Sequence, residues 1–167
     1  MSLKKSKFTL KDKLLMNLAL NLARDRLGLT GENPSVGCVI VKNNEVISIG
    51  QTGINGRPHA EFNAVKSCKK SLVGSRMYVT LEPCTHFGKT PPCSNLIVNS
   101  KIKEVIFPIE DVDIRTKGKS FKIFKTKKIK VKFGLLKNDA KKIYKSYMYN
   151  KKKKLPYVTG KLAISKD

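Results

Sequence analysis

The sequence predicts an α/β domain built on a mixed β-sheet, and three observations carry that prediction. Strand-patterned and helix-patterned segments alternate along most of the chain, which is how layered α/β domains are written. Two early apolar runs are separated by Asn43-Asn44, a hairpin signal. The later strand-like runs are separated by helix-length segments, so those strands need crossover connections and lie parallel to one another.

Taken in order, residues 11–26 carry Leu14, Leu15, Leu18, Leu22 and Ala23 at helical spacing, with Thr9 and Asp12 as a capping pair. Residues 36–41 and 46–50 form the two arms of the hairpin. Pro58 opens a helix over 59–68, and a strand follows at 77–81. Pro91-Pro92 opens the next helix, over 93–99, ahead of a strand at 104–108. A helix over 119–125, a strand over 129–133 and a helix over 138–150 complete the alternation. The four lysines 151–154 have no means of packing and read as a solvated linker. Residues 155–164 after them have the composition of a lone strand. The expected organisation is therefore one domain over 1–150 and a short tail over 151–167.

The chemistry is concentrated in two motifs. His59-Ala60-Glu61 is followed by Pro83-Cys84-Thr85-His86-Phe87-Gly88-Lys89-Thr90-Pro91-Pro92-Cys93. One imidazole and two thiolates supply three ligands and leave a fourth position for water, as a catalytic zinc site requires. Zinc makes water a usable nucleophile near neutral pH. Glu61, two residues past the histidine, is near enough to move protons without ligating the metal. Helix starts suit such ligands, because the positive end of the helix dipole favours thiolate over thiol. Either cysteine alone reads as a small buried hydrophobe; the two together with His59 and Glu61 do not. Cys38, inside an apolar run, and Cys68, late in the second helix, read as core. His86 also offers a fourth-ligand reading, but its place in the same loop as Cys84 favours a substrate or supporting role.

Composition excludes several other classes. No run is apolar enough to cross a bilayer. Four cysteines without a signal peptide do not make a secreted disulfide scaffold, so a cytoplasmic protein is expected. Gly88-Lys89-Thr90 and Gly118-Lys119-Ser120 end like phosphate-binding loops but lack the required upstream glycine. The 35 basic residues outnumber the 12 acidic ones, a formal +23, which first suggests nucleic acid. Lysine is spread along every segment and the aromatics do not interleave with basic clusters, which argues against that partner. A general positive field also suits a small phosphorylated substrate.

H-x-E followed by P-C…C resembles the zinc-dependent base deaminases. The eight residues between Cys84 and Cys93 narrow the likeness. Most cytidine deaminase-like enzymes carry P-C-x-x-C, whereas P-C-T-H-F-G-K-T-P-P-C resembles the deaminase domain of the bifunctional riboflavin-biosynthesis deaminase/reductase. The likeness runs from Asn33-Pro34-Ser35-Val36-Gly37 to about Gly118. Residues 156–167 resemble the first strand of that family's reductase domain.

The resemblance implies a three-layer α/β/α cytidine deaminase-like fold. It also implies hydrolysis of the 2-amino group of 2,5-diamino-6-ribosylamino-4(3H)-pyrimidinone 5′-phosphate. His59, Cys84 and Cys93 match the family's zinc ligands, with one Zn2+ per chain, and Glu61 matches its acid/base. Asn33 and Lys89 match substrate contacts, and His86 is placed with them. Thr52 stands where the family usually has a substrate-contacting histidine, and the segment 111–120 keeps only Asp111 and Gly118 of the usual pattern. NADPH is not expected to bind this chain alone, because the family's reductase domain is represented only by its first strand. A homo-oligomer and a separate reductase remain open as partners. The other functional readings are the front part of a bifunctional deaminase/reductase, or a tRNA-type base deaminase.

Overall fold

The computed structural model describes residues 8–165; the expected strand continues to Lys166 and Asp167, which lie outside the described residues. Thr9 and Asp12 close a capping box at the start of α1 (Leu10–Arg24). The inward face of α1 is Leu15, Met16, Ala19, Leu20 and Ala23. That differs from the expected stripe: Leu14 and Leu18 are 60% and 37% exposed. The reason lies across the interface, at Gly37. A Cβ on Gly37 would stand 1.9 Å from the Ala19 carbonyl oxygen, so helix and strand meet through small residues and the buried stripe is turned toward Ala19.

β1 (Gly37–Lys42) and β2 (Glu45–Gln51) form the expected antiparallel hairpin. Asn43 and Asn44 both adopt positive φ, at 48° and 68°, as a two-residue hairpin turn requires. β1 also pairs antiparallel with β3 (Arg76–Val79); β4 (Glu104–Phe107) and β5 (Lys130–Phe133) then add in parallel. The sheet order is β2-β1-β3-β4-β5. α2 (Ala60–Ser67), α3 (Cys93–Asn99) and α4 (Lys119–Thr126) pack together along one face, while α1 and α5 (Lys137–Ile143) pack on the other. This is the three-layer α/β/α arrangement expected. The core between the layers is apolar throughout the sheet centre: Cys38, Val39, Ile40, Met77, Val79, Val105 and Ile106 are all fully buried. Gly50 sets the position of α2, because a Cβ there would meet the Ala60 carbonyl oxygen at 2.2 Å.

Four more expectations need correction. The helix expected over 138–150 is two helices, α5 and α6 (Lys145–Lys153), broken at Tyr144. Tyr144 is buried and its hydroxyl lies 2.5 Å from Thr80 Oγ1; seating that ring under the sheet interrupts the helix. α6 then continues through Lys153, so three of the four lysines are helical, where their charges oppose the negative end of the helix dipole. Cys68 is half-buried rather than core, at the C-terminal cap of α2, with its thiol directed to the carbonyls of Ile47 and Lys70. Residues 155–165 form no strand. Their base rests on α6, where the Asn150 amide donates to the Leu155 carbonyl and the rings of Tyr149 and Tyr157 meet edge-on.

Candidate active site

Two helix starts and one strand end converge beside the sheet. His59 is the N-cap of α2, Cys93 is the first residue of α3, and Cys84 follows the end of β3. One ligand atom from each lies within 4.8 Å of the others. His59 Nδ1 is 3.6 Å from Cys84 Sγ and 3.4 Å from Cys93 Sγ. A tetrahedral zinc with bonds of about 2.1 Å to nitrogen and about 2.3 Å to sulfur would hold those atoms about 3.6 Å apart. The donor types and both nitrogen–sulfur distances therefore suit that ion.

The electrostatics prepare the same corner for a cation. The Cys93 thiol donates to Cys84, and the Cys93 backbone N–H lies 3.2 Å from Cys84 Sγ. These bonds, together with His59, hold the Cys84 thiol well below its usual range, at about 4. Cys93, the donor of the pair, is pushed up correspondingly. His59 is raised by its hydrogen bond to Cys84, against the opposing effect of burial. Glu61 lies in the first turn of α2, almost fully buried. Burial pushes its carboxyl up to about 7, the Cys84 charge adds to the rise, and His59 opposes it. A group near 7 can both accept and give protons at neutral pH.

One cavity holds His59, Cys84 and Glu61 in its wall, along with Asn33, Thr52 and His86. The Asn33 amide donates to the Gly56 carbonyl, which fixes its side chain. Thr52 is committed to the scaffold: its hydroxyl accepts from the Val36 N–H at 2.9 Å and donates to the Pro34 carbonyl. His86 Nδ1 meets Thr116 Oγ1 at 3.1 Å. Lys89 is exposed on the loop between the cysteines and does not line this cavity. The cations that do line it are Arg57, Arg115 and Lys151.

Glu82, Tyr147 and Lys151 in the same wall escaped the sequence reading. Glu82 is buried, and its carboxylate accepts from the N–H groups of Asp111, Gly118 and Ser120 and from the Ser120 hydroxyl. It thereby ties the segment 111–120 to the strand end that carries Cys84. A carboxylate in an otherwise apolar strand end, two residues before Cys84, was the signal: buried carboxylates demand donors. Asp111 accepts from the Asp113 N–H and from Tyr147 Oη, the latter at 3.0 Å from α6. Asp113 in turn grips the Arg115 guanidinium. Nothing local in the sequence announces Tyr147 or Lys151, because a chain reversal brings them to the site.

Fold and site together define a zinc-binding deaminase. Residues 9–109 match the cytidine and deoxycytidylate deaminase zinc-binding region, and the chain belongs to that family. Among its relatives, the riboflavin biosynthesis protein RibD of Bacillus amyloliquefaciens is 41% identical over 152 residues, covering 91% of this chain and 41% of that protein. The diaminohydroxyphosphoribosylamino-pyrimidine deaminase of Buchnera aphidicola subsp. Schizaphis graminum is 39% identical over 147 residues, 88% of this chain and 100% of that protein. The solved diaminohydroxyphosphoribosylaminopyrimidine deaminase/5-amino-6-(5-phosphoribosylamino)uracil reductase of Thermotoga maritima superposes with a TM-score of 0.82 at 36% identity, over 87% of this chain and 42% of that one. The chain thus spans about two fifths of the RibD relative and the whole length of the Buchnera deaminase. Among the described residues no helix is long and apolar enough to cross a membrane.

Proposed function

We propose that this chain hydrolyses the 2-amino group of 2,5-diamino-6-ribosylamino-4(3H)-pyrimidinone 5′-phosphate to a carbonyl and releases ammonia, a step of riboflavin biosynthesis. The observation that carries the reading is the His59, Cys84 and Cys93 cluster with Glu61 buried in the same cavity wall. The full-length match to a deaminase named for this substrate supports the choice of pyrimidine.

His59 through Nδ1 and the two cysteines through Sγ would hold the zinc. Zinc, when bound, acts as a Lewis acid that makes water nucleophilic near neutral pH. Glu61 takes a proton from the attacking water and passes it to the ring nitrogen beside the carbon under attack; it then takes the remaining proton of the added hydroxyl and gives it to the departing amine, so that the carbonyl forms as ammonia leaves. Its raised pKa suits a group that must both accept and donate. The fixed Asn33 amide, at the cavity wall, presents a polar edge to the pyrimidine. The reaction consumes only water and is redox-neutral, so we assign NADPH no part in it and give the reduction of the ribosyl group to a reductase outside residues 1–167.

Ammonia release tests the reading. The zinc-loaded protein should liberate one ammonia per pyrimidine phosphate consumed and leave cytidine and deoxycytidylate largely untouched. Turnover of the cytosine compounds with none of the pyrimidine phosphate would overturn the substrate assignment.

A further inference from the structure

The last helix brings one lysine of the basic run to the cavity that holds the metal ligands. α6 presents Tyr147 and Lys151, one turn apart, to that wall, as residues four apart share a helix face. Tyr147 is fixed by its hydrogen bond to Asp111, and the Lys151 ammonium lies 5.9 Å from the centre of the Tyr147 ring. The neighbouring lysines differ: Lys151 is half-buried and lines the cavity, whereas Lys152, Lys153 and Lys154 are exposed and do not. A helix-end lysine is ordinarily explained by the helix dipole. That explanation covers all of the run equally and does not account for the placement of Lys151.

The charge around it is unbalanced. Apart from Glu61, the carboxylates that line the cavity are already engaged: Glu82 by four donors, Asp111 by the Asp113 N–H and Tyr147, and Asp113 by Arg115. Among the described residues Lys151 forms no ion pair. A free ammonium held against a cavity wall, with the local carboxylates spoken for, is a receptor for an anion. The substrate proposed above is anionic at one end only, at the phosphate, which the ribosyl chain separates from the reacting ring. With the ring at the zinc corner, the phosphate meets another part of the same cavity wall, and Lys151 is a cation of that wall.

We infer that Lys151, backed by Tyr147, is the phosphate-binding residue of this site. The inference rests on the substrate proposed above, and it moves the anion contact from Lys89, which is exposed outside the cavity, to the C-terminal helix.

Binding of ribose 5-phosphate to the zinc-loaded 167-residue protein, measured by calorimetry, tests it without any catalysis. The expected result is saturable binding that weakens about tenfold or more in Lys151→Ala, the loss of one charge-assisted hydrogen bond. Lys151→Arg should recover most of it. Lys152→Ala, which removes the same charge from an exposed position of the same helix, should stay within about twofold. Equal weakening in Lys151→Ala and Lys152→Ala, or no saturable binding by the unmodified protein, overturns the assignment. Ammonia release is scored separately: Lys151-dependent binding in a protein that does not deaminate the pyrimidine phosphate would sink the reaction and leave the anion site standing.

Discussion

The zinc corner and the cavity mouth are built in opposite ways. The corner comes from two short motifs: His59 and Glu61 are two residues apart, and Cys84 and Cys93 are joined by one loop. Each side chain is delivered by a helix start or a strand end, so local sequence dictates where it points. The mouth comes from distant pieces. Glu82 reaches to 111–120, Asp111 reaches to Tyr147, and Lys151 arrives on a helix that follows the whole sheet. The corner lies inside the segment matched to the deaminase family, and most of the mouth lies after it. The contrast suggests a division of labour in which the corner supplies the reaction and the mouth supplies the choice of substrate.

The sharpest way to break that division is to damage the corner. Cys84→Ser and Cys93→Ser should each lose most bound zinc, because an oxygen replaces a soft thiolate donor, and activity should fall with the metal. Zinc content measured by elemental analysis checks this, and undiminished zinc in either variant would remove that cysteine from the ligand set. Next in size, Glu61→Gln should keep its zinc and its fold while turnover drops by about 10² to 10⁴, the usual worth of a positioned acid/base. Near-normal rates in that variant would require a different proton carrier.

A mouth variant should behave otherwise. Glu82→Gln replaces an acceptor of four hydrogen bonds with a group that places an NH₂ against donors. We expect a stability loss of about 1–3 kcal/mol in denaturant unfolding and a raised KM, with zinc retained. An unchanged KM would show that the 111–120 segment plays no part in substrate binding.

The smallest effect is expected at the rim. Asp113 is held below the usual carboxylate range, first by its hydrogen bond from Arg115. Its folded pKa is depressed, so its contribution to stability is present above the ordinary carboxylate pKa of about 3.9 and is lost as pH falls through the lower folded value. Arg115 is more than half exposed, and water screens the pair, so Asp113→Asn should cost less than about 1 kcal/mol at pH 7. That difference should shrink on acidification below about pH 4. A difference that grew on acidification would contradict the sign.

The same contrast explains what the sequence disclosed. The hairpin at Asn43-Asn44, the helix spanning Cys93–Asn99 and the convergence of His59, Cys84 and Cys93 were legible because turn chemistry, proline punctuation and ligand spacing are local. The orientation of α1 was not, since Leu14 and Leu18 satisfy helical spacing as well as Met16 and Ala19 do; only the close approach at Gly37 decides between them. The break at Tyr144 and the placement of Lys151 depend on partners more than 30 residues away in sequence: Thr80 for the first, and for the second Asp111, which holds the neighbouring Tyr147. Thr52 combines the two: it lines the cavity at the position that the resemblance links to substrate, and its hydroxyl also bonds the backbone of Pro34 and Val36.

The account stands most directly on turnover measured against metal. Protein stripped of zinc and reloaded in steps should release ammonia from the pyrimidine phosphate in proportion to zinc bound, and the rate should stop rising at one zinc per chain. Deamination that persists in metal-free protein, or that keeps rising beyond one ion per chain, would contradict it.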